Sequence, residues 1–390
     1  MTERKTKLFN MRQTRVLLIA LGISLLVLAA LGLTRPVAAS PAPSSAPVME
    51  NATCLSCHDR ADITKTLSSG ETLSLSIETT AFEASVHGMQ AVGCSSCHTD
   101  IIAFPHPALT AENLRDVATK MYTTCQQCHS EQYDQTLDSV HQRALAGGNT
   151  NAAICTDCHN PHIQKRITDQ SSGEILAEAR LHIPQTCALC HSAIYEQYKG
   201  SIHGAALTEE NNLDVPTCID CHGVHNIASP TTTTFRTNSP LICARCHTDP
   251  AIMDKYDIST RVVNTYVADF HGTTITLFEK THPDQATNKP VCFDCHGVHN
   301  IQKADDPIYG IAMKENLLVA CQKCHPDATA NFPDSWMSHY IPSPENYPIV
   351  YYVNLFYKFF IPAVLGPMVI FVLSDIARRL INRRKGAAHS

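Results

Sequence analysis

Eighteen Cys and 21 His occupy 39 of 390 positions, whereas Trp occurs once and aromatic residues make up only 6%. A hydrophobic share of 44% excludes a disordered chain, yet few large side chains are available to fill a conventional core. The net charge of −6 is unevenly spread: residues 40–346 carry 18 basic against 34 acidic side chains, a net of −16 that argues against a nucleic-acid partner.

Residues 1–39 hold six basic side chains against one acidic, with the apolar run Val16–Leu33 following the basic residues. This charge order predicts an export signal, cleaved near Val37, Ala38 and Ala39, or an N-terminal anchor, because 18 apolar residues are enough to span a bilayer. Residues 40–50, rich in Pro, Ala and Ser, read as a linker. A hairpin is predicted over Thr66–Ile77, where Ser68-Ser69-Gly70 separates two alternating stretches, and a second extended segment around Tyr256–Val263.

From residue 51 to 346 every Cys falls in a C-x-x-C-H run. In chain order the runs are Cys54, Cys57 and His58; Cys94, Cys97 and His98; Cys125, Cys128 and His129; Cys155, Cys158 and His159; Cys187, Cys190 and His191; Cys218, Cys221 and His222; Cys243, Cys246 and His247; Cys292, Cys295 and His296; and Cys321, Cys324 and His325. Two thiols three positions apart can form thioethers to one haem, and the adjacent His then binds its iron. Nine disulfides or tetrahedral zinc sites would give no reason for His to follow every pair. Nine covalently bound haem c groups are therefore expected, about 33 residues apart, in a mainly α chain with little regular structure.

A second set of His alternates with the runs. After most odd-numbered runs comes a Ser-x-His unit or its variant, giving His87, His141, His203, His271 and His339. After the even-numbered runs a His follows closely: His162, His225 and His299 are three residues beyond the run, and His106 is displaced to eight. These nine are the candidate distal iron ligands, and His182 and His282 read as surface or haem-propionate-contacting residues. Two His three apart on one helical turn cannot grip opposite faces of one haem, so His162, His225 and His299 are expected to reach the irons of other runs.

A second apolar run, Ile349–Leu373, predicts a transmembrane helix over residues 347–375. Tyr347, Tyr351 and Tyr352 lie at one end, and the basic tail 376–390 at the other puts that end in the cytoplasm. The haem domain is then expected on the periplasmic side of the cytoplasmic membrane. Neither apolar run contains a His, so a b-type haem within the bilayer would have to come from another subunit.

The alternation of Ser-x-His-Gly with C-x-x-C-H-G-x-H units resembles the multihaem c-type cytochromes over residues 54–339. The stretch Ser335-Trp336-Met337-Ser338-His339, running into Val350-Tyr351-Tyr352-Val353-Asn354, resembles the periplasmic haem domain of Cbc-type inner-membrane quinone-linked cytochromes, although only one span follows it here. The resemblance implies an electron-transfer subunit of a quinol:cytochrome c oxidoreductase that is not catalytic alone. Its partners would be a membrane subunit with a b-type haem or quinone site, a soluble periplasmic cytochrome or reductase, and the lipid bilayer. The competing class is a reductase or dehydrogenase of the nitrite or hydroxylamine kind, which needs an open iron position.

Overall fold

The computed structural model describes residues 51–386 except 104, 282–284, 286–287, 337–338, 340 and 346. The N-terminal signal or anchor, the linker up to residue 50 and His282 lie outside the described residues. The chain is mostly helical, with more regular structure than the sequence reading allowed. Most helices before the C-terminal one are short, and the C-x-x-C-H runs either form such a helix, as at Cys218–His222, or close one, as in Thr233–His247.

Among the described residues one antiparallel hairpin is present, pairing Thr64–Thr66 with Thr72–Ser74 in the register Lys65↔Leu73. It begins two residues earlier than predicted, and Gly70 makes the turn at φ 89°. The extended segment predicted around Tyr256–Val263 is absent. A 3₁₀ turn at Asp254–Tyr256 leads into Asp257 at φ 55°, and a helix spans Val262–Ala268. Alternating apolar residues were outweighed there by the left-handed turn.

Only twelve apolar residues are buried among the described residues, and several are Ala. Leu207, Ile275 and Val291 are the most enclosed large aliphatic ones, each lying close to a C-x-x-C-H run or to a distal-His helix. So few apolar residues do not form a continuous core for nearly 300 residues.

The C-terminal helix runs from Pro348 to Gly386, past the predicted end at 375 and through the basic residues, where Asp375 pairs with Arg378 and Arg379. Its stretch Pro348–Asn382 has a mean hydropathy of 2.1 in its most apolar window, and that window is not buried against the rest of the chain. It is long and apolar enough to cross a membrane.

Candidate functional site: nine facing histidine pairs

The Ser-x-His units start helices in the same way each time. Ser85, Ser139 and Ser201 are N-caps whose Oγ atoms accept from the N–H of Gly88, Gln142 and Gly204, and all three are buried. This cap fixes the first helical turn and so places His87, His141 and His203. Each of these helices is also pinned at its first residue: Val86 N–H donates to Gln164, Val140 to Ile227 and Ile202 to Ile301. Those acceptors lie two residues beyond His162, His225 and His299, so each odd-type His is tied to an even-type one.

At the even runs the expectation of a shared helical turn does not hold. The helices Cys218–His222 and Cys292–His296 stop at Gly223 and Gly297, with φ 83° and 82° and ψ near 180°. Only glycine occupies this region readily, and it turns the chain so that His225 and His299 leave the run at once.

Every C-x-x-C-H histidine faces one histidine of the second set, and none of the 18 is used twice. His58 faces His106 at 6.2 Å between ring centroids, His98 faces His162 at 6.2 Å, and His129 faces His87 at 6.2 Å. His159 faces His225 at 6.3 Å, His191 faces His141 at 6.2 Å, and His222 faces His299 at 6.1 Å. His247 faces His203 at 6.4 Å, His296 faces His339 at 6.2 Å, and His325 faces His271 at 6.5 Å. His182 is exposed on the helix Ala177–Ala188 and is not one of the 18.

The pairing follows a rule. Odd runs 3, 5, 7 and 9 take their second His from the preceding odd unit, whereas even runs 2, 4 and 6 take theirs from the following even unit. The two ends adapt: run 1 takes His106, and run 8 takes His339.

The separation itself is informative. Two metal–imidazole bonds of about 2 Å, with about 1 Å from each ring nitrogen to its centroid, span about 6 Å. The ring environments suit ligation. His58 Nδ1 lies 2.6 Å from the Leu75 carbonyl and His87 Nδ1 2.9 Å from that of Pro161. A carbonyl only accepts, so each Nδ1 carries the hydrogen and leaves Nε2 with a free lone pair. Burial pushes most of the paired imidazoles towards the neutral form, His203 to about 4. His271 Nδ1 lies 3.3 Å from the Asp269 carboxylate.

None of the 18 Cys is paired in a disulfide, and among the described residues no group of three or more His, Cys, Asp or Glu converges as a metal cage. The donor set is instead two thiols one helical turn apart beside two opposed imidazoles. That set fits a haem that would be held by two thioethers and two His, whereas a tetrahedral zinc site would need the same kinds of donor to converge on one point, which they do not among the described residues.

The thiols also show how the sites adjoin. The first thiol of each of runs 1, 3, 5 and 7 interacts with the first thiol of the next run: Cys54 with Cys94, Cys125 with Cys155, Cys187 with Cys218, and Cys243 with Cys292. The second thiols of the even runs are within electrostatic reach of the following odd run: Cys97 of Cys125, Cys158 of Cys187, Cys221 of Cys243, and Cys295 of Cys321. The nine sites therefore follow one another in chain order, as four odd–even units and a ninth site without an even partner.

A clamp inside these units was not read from the sequence. Three even runs have the form C-x-D-C-H, and their Asp accepts from an Arg on the helix before the preceding odd run. The pairs are Arg115–Asp157 at 2.7 Å, Arg180–Asp220 at 2.9 Å and Arg236–Asp294 at 2.7 Å. The same Asp accepts from the backbone N–H that precedes its run, of Ile154, Thr217 or Val291. In the first unit Asn51 substitutes, accepting from Cys94 N–H and donating to the Val92 carbonyl. The recurring C-x-D-C-H pattern, with Arg seven residues before Cys187 and Cys243, was the available signal.

No family model, characterised protein or solved structure matches the chain.

Proposed function

We propose that the chain is a membrane-anchored nonahaem c-type cytochrome that passes electrons between the quinone pool, reached through a membrane partner subunit, and periplasmic or extracellular acceptors. The observation that carries this reading is the nine-for-nine pairing of His at 6.1–6.5 Å beside nine pairs of thiols. Haem iron, when bound, supplies a reversible one-electron couple.

The protein residues do the rest. The Ser caps, the Gly turns and the Nδ1 contacts hold each imidazole in place, and the thiol neighbours set the sites side by side in one file. The pairing also bears on the choice of class. With a second His opposite every run His, the protein would supply two ligands to each bound iron and leave no position open to substrate, which favours a conduit over a nitrite- or hydroxylamine-type reductase. The C-terminal helix supports membrane attachment, with its basic end in the cytoplasm and the haem domain on the periplasmic side.

Carbon monoxide tests the class directly, since it binds reduced haem iron only where an axial position is free. The dithionite-reduced protein is expected to show no spectral change under carbon monoxide at neutral pH and no turnover of nitrite or hydroxylamine. One carbon monoxide bound per chain, with turnover of either substrate, would move the reading to the reductase.

A further inference from the structure

The ninth site has half a unit. In the third, fifth and seventh sites the residue three before the first thiol is Tyr122, Pro184 or Pro240, and each is buried. The element that carries this edge packs on the even run that follows it: the Tyr122–Gln127 turn on Cys155–Cys158, the helix Ala177–Ala188 on Cys218–His222, and the helix Thr233–His247 on Cys292–His296, whereas the ninth helix packs on the even run that precedes it, Cys292–His296. The ninth helix, Lys314–Gln322, presents Leu318 at that position, and it is only half-buried.

The clamp is missing as well. Lys314 stands seven residues before Cys321, where Arg180 and Arg236 stand before their thiols, and it pairs instead with the exposed Asp334 at 2.8 Å. Beside this edge Ile308 and Tyr309 are 68% and 72% exposed, and the carbonyls of Ile308 and Gly310 accept from Asn316 on the same helix.

We propose that the edge of the ninth unit around Leu318 is the docking surface for a membrane subunit that carries its own redox centre and presents it where an even run sits in the other units. The inference rests on the nonahaem reading and adds to it the place at which the partner binds. The occupant follows from internal repetition, because in three sister units the element that carries the matching edge packs on a following run that holds a redox centre. Its membrane location follows from chain length. The turn Phe332–Ser335 packs on the ninth helix, and the apolar helix begins at Pro348, thirteen residues after Ser335 or at most about 45 Å of extended chain.

The step balances with a hydroquinone as donor. Its oxidation to the quinone in the partner releases two protons and two electrons, and the electrons cross singly, each reducing one ferric centre of this chain to ferrous.

The test uses the native complex in mild detergent and menadiol as a soluble hydroquinone. Leu318→Glu and the milder Lys314→Glu are expected to slow haem reduction by menadiol at least tenfold. Leu241→Glu, at an exposed position of the seventh unit's helix, should react at the wild-type rate. Dithionite should still reduce nine haems in every variant. Wild-type menadiol rates in both ninth-unit variants, with nine dithionite-reducible haems, would overturn the docking site and leave the cytochrome reading standing. A wild-type haem count below nine would defeat the cytochrome reading itself. If the purified chain is a dimer that Leu318→Glu splits, a second copy covers the edge and the proposal is wrong.

Discussion

Odd and even runs share one five-residue motif but obtain their opposed histidines in opposite ways. Odd runs reach back to a helix already made, capped by a buried Ser, as when His191 faces His141. Even runs reach forward to a residue delivered by a left-handed glycine, as when His222 faces His299. The difference shows that neither kind of unit completes itself. Each segment supplies a ligand to a neighbour on one side and receives one from the other, so the file of sites is woven from strands running in both directions along the sequence.

The sharpest way to break this comparison is to remove single ligands. His87→Ala should open the third site and leave the first intact, whereas His106→Ala should open the first. Each variant should lose one ninth of the low-spin haem signal, and the site should be assigned by combining it with a change in the facing run. If His87→Ala altered the haem of its own run, Cys54 to His58, the backward rule would fail.

The next largest effect is expected at the clamp within each unit. Arg236→Ala strands Asp294 beside the eighth run and removes two charge-assisted contacts, along with a hydrogen bond to the Lys289 carbonyl. With both side chains about a quarter exposed, a loss of about 2–3 kcal/mol is expected on denaturant unfolding of the haem-loaded protein. Arg378→Ala, on an exposed helix pair, should cost under about 0.5 kcal/mol.

Gly297→Ala probes the forward branch. Its φ of 82° is unsuited to an L side chain, and an added Cβ would lie 2.7 Å from Asn300 Oδ1. A cost of about 1–3 kcal/mol is expected, together with a broadened signal from the sixth site, which depends on His299. Ser201→Ala probes the backward branch. Losing this buried cap should cost about 1 kcal/mol and perturb only the seventh site, through His203. An equal effect of both substitutions on the same site would merge the two branches.

Much of the candidate site was legible in the sequence. The C-x-x-C-H runs are contiguous, so local spacing alone identifies 27 of the residues, and the alternation of His that follows them selects the other nine. Partner choice was not legible, because it depends on which segments lie side by side. His87 is nearer in sequence to His98 than to His129, and only the structure sets it opposite His129. The Arg–Asp clamps were missed for the same reason, with 40 to 58 residues separating the partners. The extended segment expected around Tyr256–Val263 was lost because a single left-handed residue, Asp257, outweighed the apolar pattern.

The central claim is that each of the nine facing pairs holds one covalently attached haem with two axial histidines. Electron paramagnetic resonance of the oxidised, purified protein, with spins integrated against its acid-acetone-resistant haem content, tests this most directly. The account predicts nine non-extractable haems per chain, all low-spin. Haem that extracts into acid acetone, or a high-spin component amounting to one centre or more at neutral pH, would contradict it.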